Sequence, residues 1–381
     1  AEVFPDAAKY NKGLFYSGKQ PVTVSELYNN IDHKFSVAPS VAQFDLQEHE
    51  KKLLSITEKA LADDPMSHAE RVGTHVLPDL TQAGGFAEQG RQALAVANYY
   101  GIPVSDMKPF TTDQAASIKA RVDGADANQA VKVMAEIQSM PTTVAKAAMA
   151  QIGQKDAVFA HAGSLYLAGD TTTAADIMRG RKRLTENPAL KAQLGLDNAA
   201  NVQTWFDDKT AAALSAVAPE QAQAMQEAAV SYWAQYASSS GSWKKMSSSG
   251  METALNAVLG GTAKAPAIAK VNGRKTIMPR GITTDVLDKA INNMGLTDWA
   301  RMSKSGLMPR YANGTVVDPH DIADEITFVA KGNNEYVPYL ADNKYMLTGR
   351  VMGDGTPEQF VVTLSPTDVK ALAEKTSVAT R

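Results

Sequence analysis

The sequence contains no cysteine. That excludes disulfides, cysteine–zinc sites, iron–sulfur clusters and a thiol nucleophile. It leaves the compartment open. A cysteine-free chain passes between reducing and oxidising spaces without mispairing, and the ordinary scarcity of the residue explains its absence equally well. Long apolar runs are missing too: none approaches the roughly 18 residues that a membrane span needs. The amino-terminal stretch AEVFPDAAKYNKG has no basic region followed by an apolar one, so it does not read as a signal peptide. A start at Ala1 without methionine leads us to expect a piece of a longer polypeptide. The net charge is only −3, too small for a global field that demands a nucleic-acid or anionic-membrane partner.

Catalytic signatures are equally scarce. GxGxxG, Walker, GxSxG and HExxH patterns do not occur, and Ser164 in HAGSLYLAG is not set in a strand-to-helix elbow. No Glu-Ser dipeptide of the kind that opens a lytic transglycosylase segment is present; Ser25-Glu26 has the reverse order in a polar context. Paired carboxylates for glycosidic cleavage are not recognisable by spacing alone. No residue is therefore assigned a catalytic role, and no cofactor is expected.

The six histidines point to no metal. His68 and His75 lie two helical turns apart, whereas ligands sharing a helix are brought together by spacings of three or four. His49 sits in a charged helix and His33 in a polar loop, where solvation is the plain reading. His161, in an alanine-rich helix, reads as a packed and satisfied core residue. His320 stands among Asp318, Asp321, Asp324 and Glu325. Hard-cation binding there would need several of these oxygens to converge, and a capped helix start explains the same residues more simply.

What the chain does contain is material for a large core. Of its 381 residues, 44% are hydrophobic and 21% charged, ordinary globular values at a length that suggests two or three domains. Residues 1–44, with Pro5, Pro21, Pro39 and scattered aromatics, read as an extended, decorating segment. Residues 45–140 read as a helical domain and 141–260 as an alanine-rich helical domain, because alanine loses no side-chain entropy in a helix. Within these, Thr142–Leu167 reads as one long stretch, Asp170 as the cap of Thr171–Glu186, and Asp207–Val217 as a further helix. The polar segment 238–250 reads as an exposed loop or hinge, dependent on a partner like residues 1–44.

After Gly261 the texture changes. Ala267–Val271, Asn272-Gly273 and Lys275–Met278 read as a hairpin on an Asn-Gly turn. Four more strand-like runs, Ile326–Ala330, Glu335–Leu340, Tyr345–Val351 and Gln359–Leu364, are separated by Gly, Asn and Asp turns. The expected fold is mainly α: a long helical region, a small α+β domain over 261–366 with short antiparallel strands, and a C-terminal helix over 367–381.

One electrostatic feature stands out. Between Lys264 and Arg310 there are nine basic residues (Lys264, Lys270, Arg274, Lys275, Arg280, Lys289, Arg301, Lys304, Arg310) against three acidic ones (Asp285, Asp288, Asp298). Lys264, Lys270, Arg274, Lys275, Arg280, Arg301 and Arg310 are the candidates for contact with DNA or another polyanion. A solvated face of a small domain is the competing reading. Aromatic interleaving is thin, with Trp299 and distant Tyr311 only, which argues against single-strand stacking. Arg179, Arg181, Lys182 and Arg183 form a second basic cluster, read as solvated helix surface.

From His161 to Pro366 a succession of elements resembles a known family. HAGSLYLAGDTTTAADIMRGRKRL is a helix ending in Gly-Asp before a second helix with an internal Arg-Gly. EAAVSYWAQYA follows, then METALNAVLGGTA leading into KVNGRKTIMPRGIT, and finally DNKYMLTGR and FVVTLSP around a glycine-rich turn. In this order they are similar to the C-terminal part of very large phage and prophage virion proteins, internal (ejected) or tail-associated, which often carry a lytic transglycosylase domain elsewhere. The resemblance covers slightly more than half the chain and none of residues 1–140. It implies a non-catalytic structural region, located in the virion and passing the host envelope or periplasm during infection. The implied partners are copies of itself and other virion proteins. A catalytic or accessory part of a peptidoglycan-degrading enzyme is the first alternative, and a DNA-contacting module the second.

Overall fold

The computed structural model of the chain describes residues 51–52, 55–124, 126–154, 156–239, 244–332, 334–340 and 344–375. The segment 1–44 lies outside them, as do His33 and His49. The described fold is mainly α, with short antiparallel strands confined to the C-terminal part. The chain divides into two compact units, Ala1–Asp156 and Ala157–Arg381.

In the first unit, helical residues 55–63 are followed by α1 (Pro65–Arg71), α2 (Gly85–Tyr100), α3 (Thr112–Asp123), α4 (Ala127–Gln138) and α5 (Thr142–Gly153). Caps set the starts. Asp64 accepts from Ser67 N, and Thr111 and Gln114 form a reciprocal capping box, which satisfies first-turn N–H groups that have no partner inside the helix. α1 ends at Arg71, and the chain from there to Gly84 is non-helical. Phe110 is fully buried, and its backbone N–H and C=O are both taken up by the Gln151 side chain, at 2.9 and 2.8 Å.

The stretch 142–167 is two helices. Gly153 closes α5, Asp156 N–H returns to Gly153 O at 2.9 Å, and α6 (Ala157–Leu167) begins the second unit. Alanine-rich sequence propagates a helix on either side of such a break, so composition alone hides it. The two compact units divide at 156/157, and α5 lies in the first.

The second unit continues with α7 (Thr171–Glu186), α8 (Ala189–Gln193), α9 (Ala199–Thr210), α10 (Pro219–Ser239) and α11 (Ser248–Val258). Asp170 caps α7 as expected. The helix expected at 207–217 lies at 199–210 instead, because Asn198 supplies the cap through Asn201 N. The segment expected as an exposed loop at 238–250 is anchored in its described part. Met246 is buried and its N–H donates to Leu194 O, Lys244 O accepts from Trp233 Nε1, and Ser247 caps α11. Packing of α7 on α10 turns on Gly180, where a Cβ would stand 1.7 Å from Ser231 O.

The α+β part comprises β1 (Ile268–Val271), β2 (Arg274–Ile277), α12 (Thr284–Asn292), α13 (Leu296–Met302), α14 (Pro319–Ile322), β3 (Thr327–Gly332), β4 (Glu335–Tyr339), β5 (Leu347–Val351), β6 (Pro357–Gln359), β7 (Val362–Thr363) and α15 (Pro366–Glu374). β1 pairs with β2, β5 with β6, and β3–β4–β7 form a three-stranded sheet, all antiparallel. The run expected as one strand at 359–364 is split. Gln359 pairs with Leu347, but Val362 pairs with Tyr336, and the chain changes sheets at the fully buried Phe360. Trp299, Phe328, Tyr336 and Phe360 pack against one another in the core, Trp299 stacked on Phe328 and Tyr336 edge-to-face with Phe328.

Candidate polyanion-binding surface

The hairpin carries the surface. Asn272 and Gly273 both adopt positive φ, 45° and 82°, as a two-residue turn of this handedness requires. Asn272 also anchors the turn: its Nδ2 donates to Ile326 O at 2.7 Å and to Ala323 O at 3.2 Å. That contact brings the hairpin tip against the loop between α14 and β3, which carries Asp324 and Glu325.

Register places Lys270 directly opposite Lys275 and Val271 opposite Arg274. Side chains of directly opposed residues share a face, so the two lysines stand side by side. Among the described residues no carboxylate pairs with either. Alternation puts Arg274 on the other face, where its guanidinium lies over the Tyr339 ring, 4.9 Å from the centroid. Tyr339 in turn meets Tyr345 edge-to-face at 6.0 Å, and Tyr345 is 40% exposed. Arg274 and Lys275 line a cleft of about 700 Å³ with Thr327, Leu340, Asp324 and Glu325. Both carboxylates are exposed.

The other candidates are dispersed. Arg280 pairs with Asp170 at 3.0 Å and reaches Ala168 O, tying the helical part of this unit to its α+β part. Arg301 pairs with Asp368 at 2.7 Å, and Lys304 with Glu335 at 3.0 Å. Arg310 donates to Gly314 O at 2.7 Å. Lys264 and Lys289 are exposed and have no counterpart on the hairpin. Of the seven candidates, then, Lys270, Arg274 and Lys275 are brought together. In the second basic cluster, Arg179 pairs with Asp176 and Lys182 with Glu186.

Sequence reasoning missed Tyr339 and Tyr345. They lie outside the 264–310 window and approach Arg274 only through sheet packing. Trp299, the aromatic inside that window, is 1% exposed and belongs to the core. Among the described residues its Nε1 has no partner.

Groups that mark chemistry elsewhere do not converge. Among the described residues there is no group of three or more His, Asp or Glu placed to hold a metal ion. No helix among them is long and apolar enough to cross a membrane. His68 is buried against the Tyr100 ring. His161 is half-buried, its Nε2 2.8 Å from Val258 O. Loss of hydration holds its pKa below the usual imidazole value, against the opposing pull of that carbonyl. Comparison with protein-family models, curated proteins and solved structures returns no match for the chain.

Proposed function

We propose that this chain is a non-catalytic structural and interaction region of a phage virion protein, internal and ejected or tail-associated, that assembles with copies of itself and with other virion proteins. One observation carries the reading. The succession of elements resembling such proteins runs from residue 161 to residue 366, and one compact unit begins at Ala157 and has its last helix at Pro366–Glu374. The resembling region thus lies within one compact unit, as expected if the likeness reflects a shared domain. Placement in the particle, with passage through the host envelope or periplasm, belongs to the same proposal.

The purified chain tests the enzymatic alternative directly. Incubated with peptidoglycan beside a known lytic enzyme, it is expected to release no muropeptides detectable by mass spectrometry. Anhydro or reducing-end products would overturn the non-catalytic reading.

A second reading, contact with DNA or another polyanion, is favoured by the unpaired Lys270–Lys275 juxtaposition. Like charges directly opposed on a sheet destabilise it, and an external anion relieves that repulsion. Binding of this kind weakens steeply with salt. Neutralising Lys270, Arg274 and Lys275 together is expected to abolish it; unchanged affinity would discard the reading.

A further inference from the structure

Resting on the self-association in the proposed function, we infer that copies of the chain join tip to cleft: Val351 and Met352, at the end of the β5–β6 ribbon of one copy, seat in the cleft lined by Lys275, Asp324, Glu325 and Leu340 on the next.

The pairing pattern makes the ribbon project. Apart from β6, β5 is bridged only at Leu347, whose N–H donates to Arg310 O at 2.9 Å and whose C=O accepts from Arg310 N at 2.8 Å. Among the described residues no other segment pairs with the ribbon past that point, and every residue from Gly349 to Pro357 is exposed. Val351 is 68% exposed and Met352 55%. Scattered apolar side chains are ordinary on a protein surface; here two adjacent ones end a projecting ribbon. The turn beyond them is ordered. Asp354 Oδ1 accepts from Thr356 N at 2.9 Å and from Thr356 Oγ1 at 2.6 Å. Met352 N donates to Thr356 O at 2.8 Å, and Gly355 N to Met352 O at 2.9 Å. A tip already fixed in shape loses little freedom on docking.

The cleft answers the tip in size and charge. Its volume, about 700 Å³, lies in the range of sites that enclose a compact ligand, and Leu340 and Ala212 give it apolar surface. β2 contributes Lys275 to the lining, and the loop before β3 contributes Asp324 and Glu325. The tip carries both signs beside its apolar pair, Arg350 before it and Asp354 after it, each exposed. Among the described residues none of these five charged groups is in an ion pair. Opposite charges on two surfaces steer and orient their association, here Arg350 towards Asp324 and Glu325, and Asp354 towards Lys275.

Tip and cleft are too far apart to meet within one copy. Leu340 N donates to Lys344 O at 2.9 Å, so the cleft lies at the start of the run that leads into β5. Val351 stands at its far end, roughly 20 Å away at about 3.3 Å per residue of strand. Each copy therefore offers one tip and one cleft to others, and the contact closes as a reciprocal dimer or a ring, or continues as a chain.

Sedimentation equilibrium of the full chain over a wide concentration range tests the inference. The unaltered chain is expected to associate. Val351→Asp together with Met352→Asp should raise the dissociation constant at least about ten-fold, as for a central apolar anchor. Both side chains are exposed, so the variant keeps its fold, which circular dichroism verifies. Val76→Asp, at an apolar position of the first unit that is 81% exposed, should change nothing. Arg350→Glu, and separately the pair Asp324→Lys, Glu325→Lys, should each weaken association about three-fold or more, because like charges then face each other. A mixture of those two variants should associate as tightly as the unaltered chain. Association that ignores the tip substitutions, or a mixture no tighter than its components, overturns the tip-in-cleft contact and leaves self-assembly through another surface standing. A chain that stays monomeric throughout overturns both.

Discussion

At the scale of single residues, Gly180 shows how much one hydrogen can decide. It sits inside α7, where glycine costs about 1 kcal/mol against alanine in helix propensity alone. The compensation lies across the contact: an added Cβ would meet Ser231 O at 1.7 Å and Ser231 C at 2.7 Å. Both are backbone atoms of α10 and cannot rotate aside. Gly180→Ala is therefore expected to destabilise the second unit, by about 1–3 kcal/mol if the helices separate slightly, despite the better propensity of alanine. Scanning calorimetry should show the unfolding midpoint fall by several degrees. Gly353→Ala, which meets nothing within 4 Å, should leave it in place; equal midpoints for the two variants would contradict this account of the crossing. The sequence shows the internal Arg-Gly as a feature of α7 but not the reason for it, which is held by residues 51 positions away. Tyr339 and Tyr345 are hidden for the same reason: charge counting runs along the chain, whereas their approach to Arg274 depends on strand packing.

At the scale of elements, local chemistry is the most legible. Asp170 before α7, Ser365 before α15 and Asn272-Gly273 in the hairpin act where their side-chain and backbone preferences place them. Reading fails where two starts compete, as at Asn198 against Asp207, or where composition continues through a break, as at 153–156. The docking of α15 shows what caps alone do not provide. Asn293 Nδ2 donates to Leu372 O and Lys375 O, Lys375 pairs with Asp298 at 2.8 Å, and Arg301 joins Asp298 to Asp368. Partial burial would raise the Asp298 pKa, but hydrogen bonds from Lys375 and Gly295 and the charges of Lys375 and Arg301 outweigh it and hold it below the usual carboxylate value. Asp368 is lowered as well, first by Ser365 and then by Arg301. For a carboxyl depressed in the folded state, the unfolded chain takes up protons first as pH falls. The stabilisation is therefore complete above the ordinary carboxylate range, near pH 4, and is lost as pH drops through the two depressed values. Protection of the α15 amides against hydrogen exchange, relative to their intrinsic rates at each pH, should fall over that acid window ahead of protection in α7. An Asp298→Asn variant should show faster exchange at α15 already at neutral pH and a weaker acid response. Protection at α15 that stays constant through this window would contradict the network.

At the scale of the whole molecule, the sequence conveys a mainly α chain with a small strand-bearing part near its C-terminus, and the structure agrees. The two compact units divide at 156/157: Thr142–Gly153 is as rich in alanine as the helices that follow but packs with those before it. Half of the candidate surface was legible, namely the cationic hairpin. The internal use of Arg280 and Arg301 was not, since their acidic partners Asp170 and Asp368 lie outside the window in which charges were counted. The functional reading depends on the correspondence between the resembling region and the second unit, and particle composition tests it most directly. Phage particles purified from cells that produce this chain, digested and read by quantitative mass spectrometry, are expected to yield peptides from the second unit in a fixed multicopy ratio to the major capsid protein. Particles without such peptides, from cells in which the chain is abundant, would contradict the assignment to the virion.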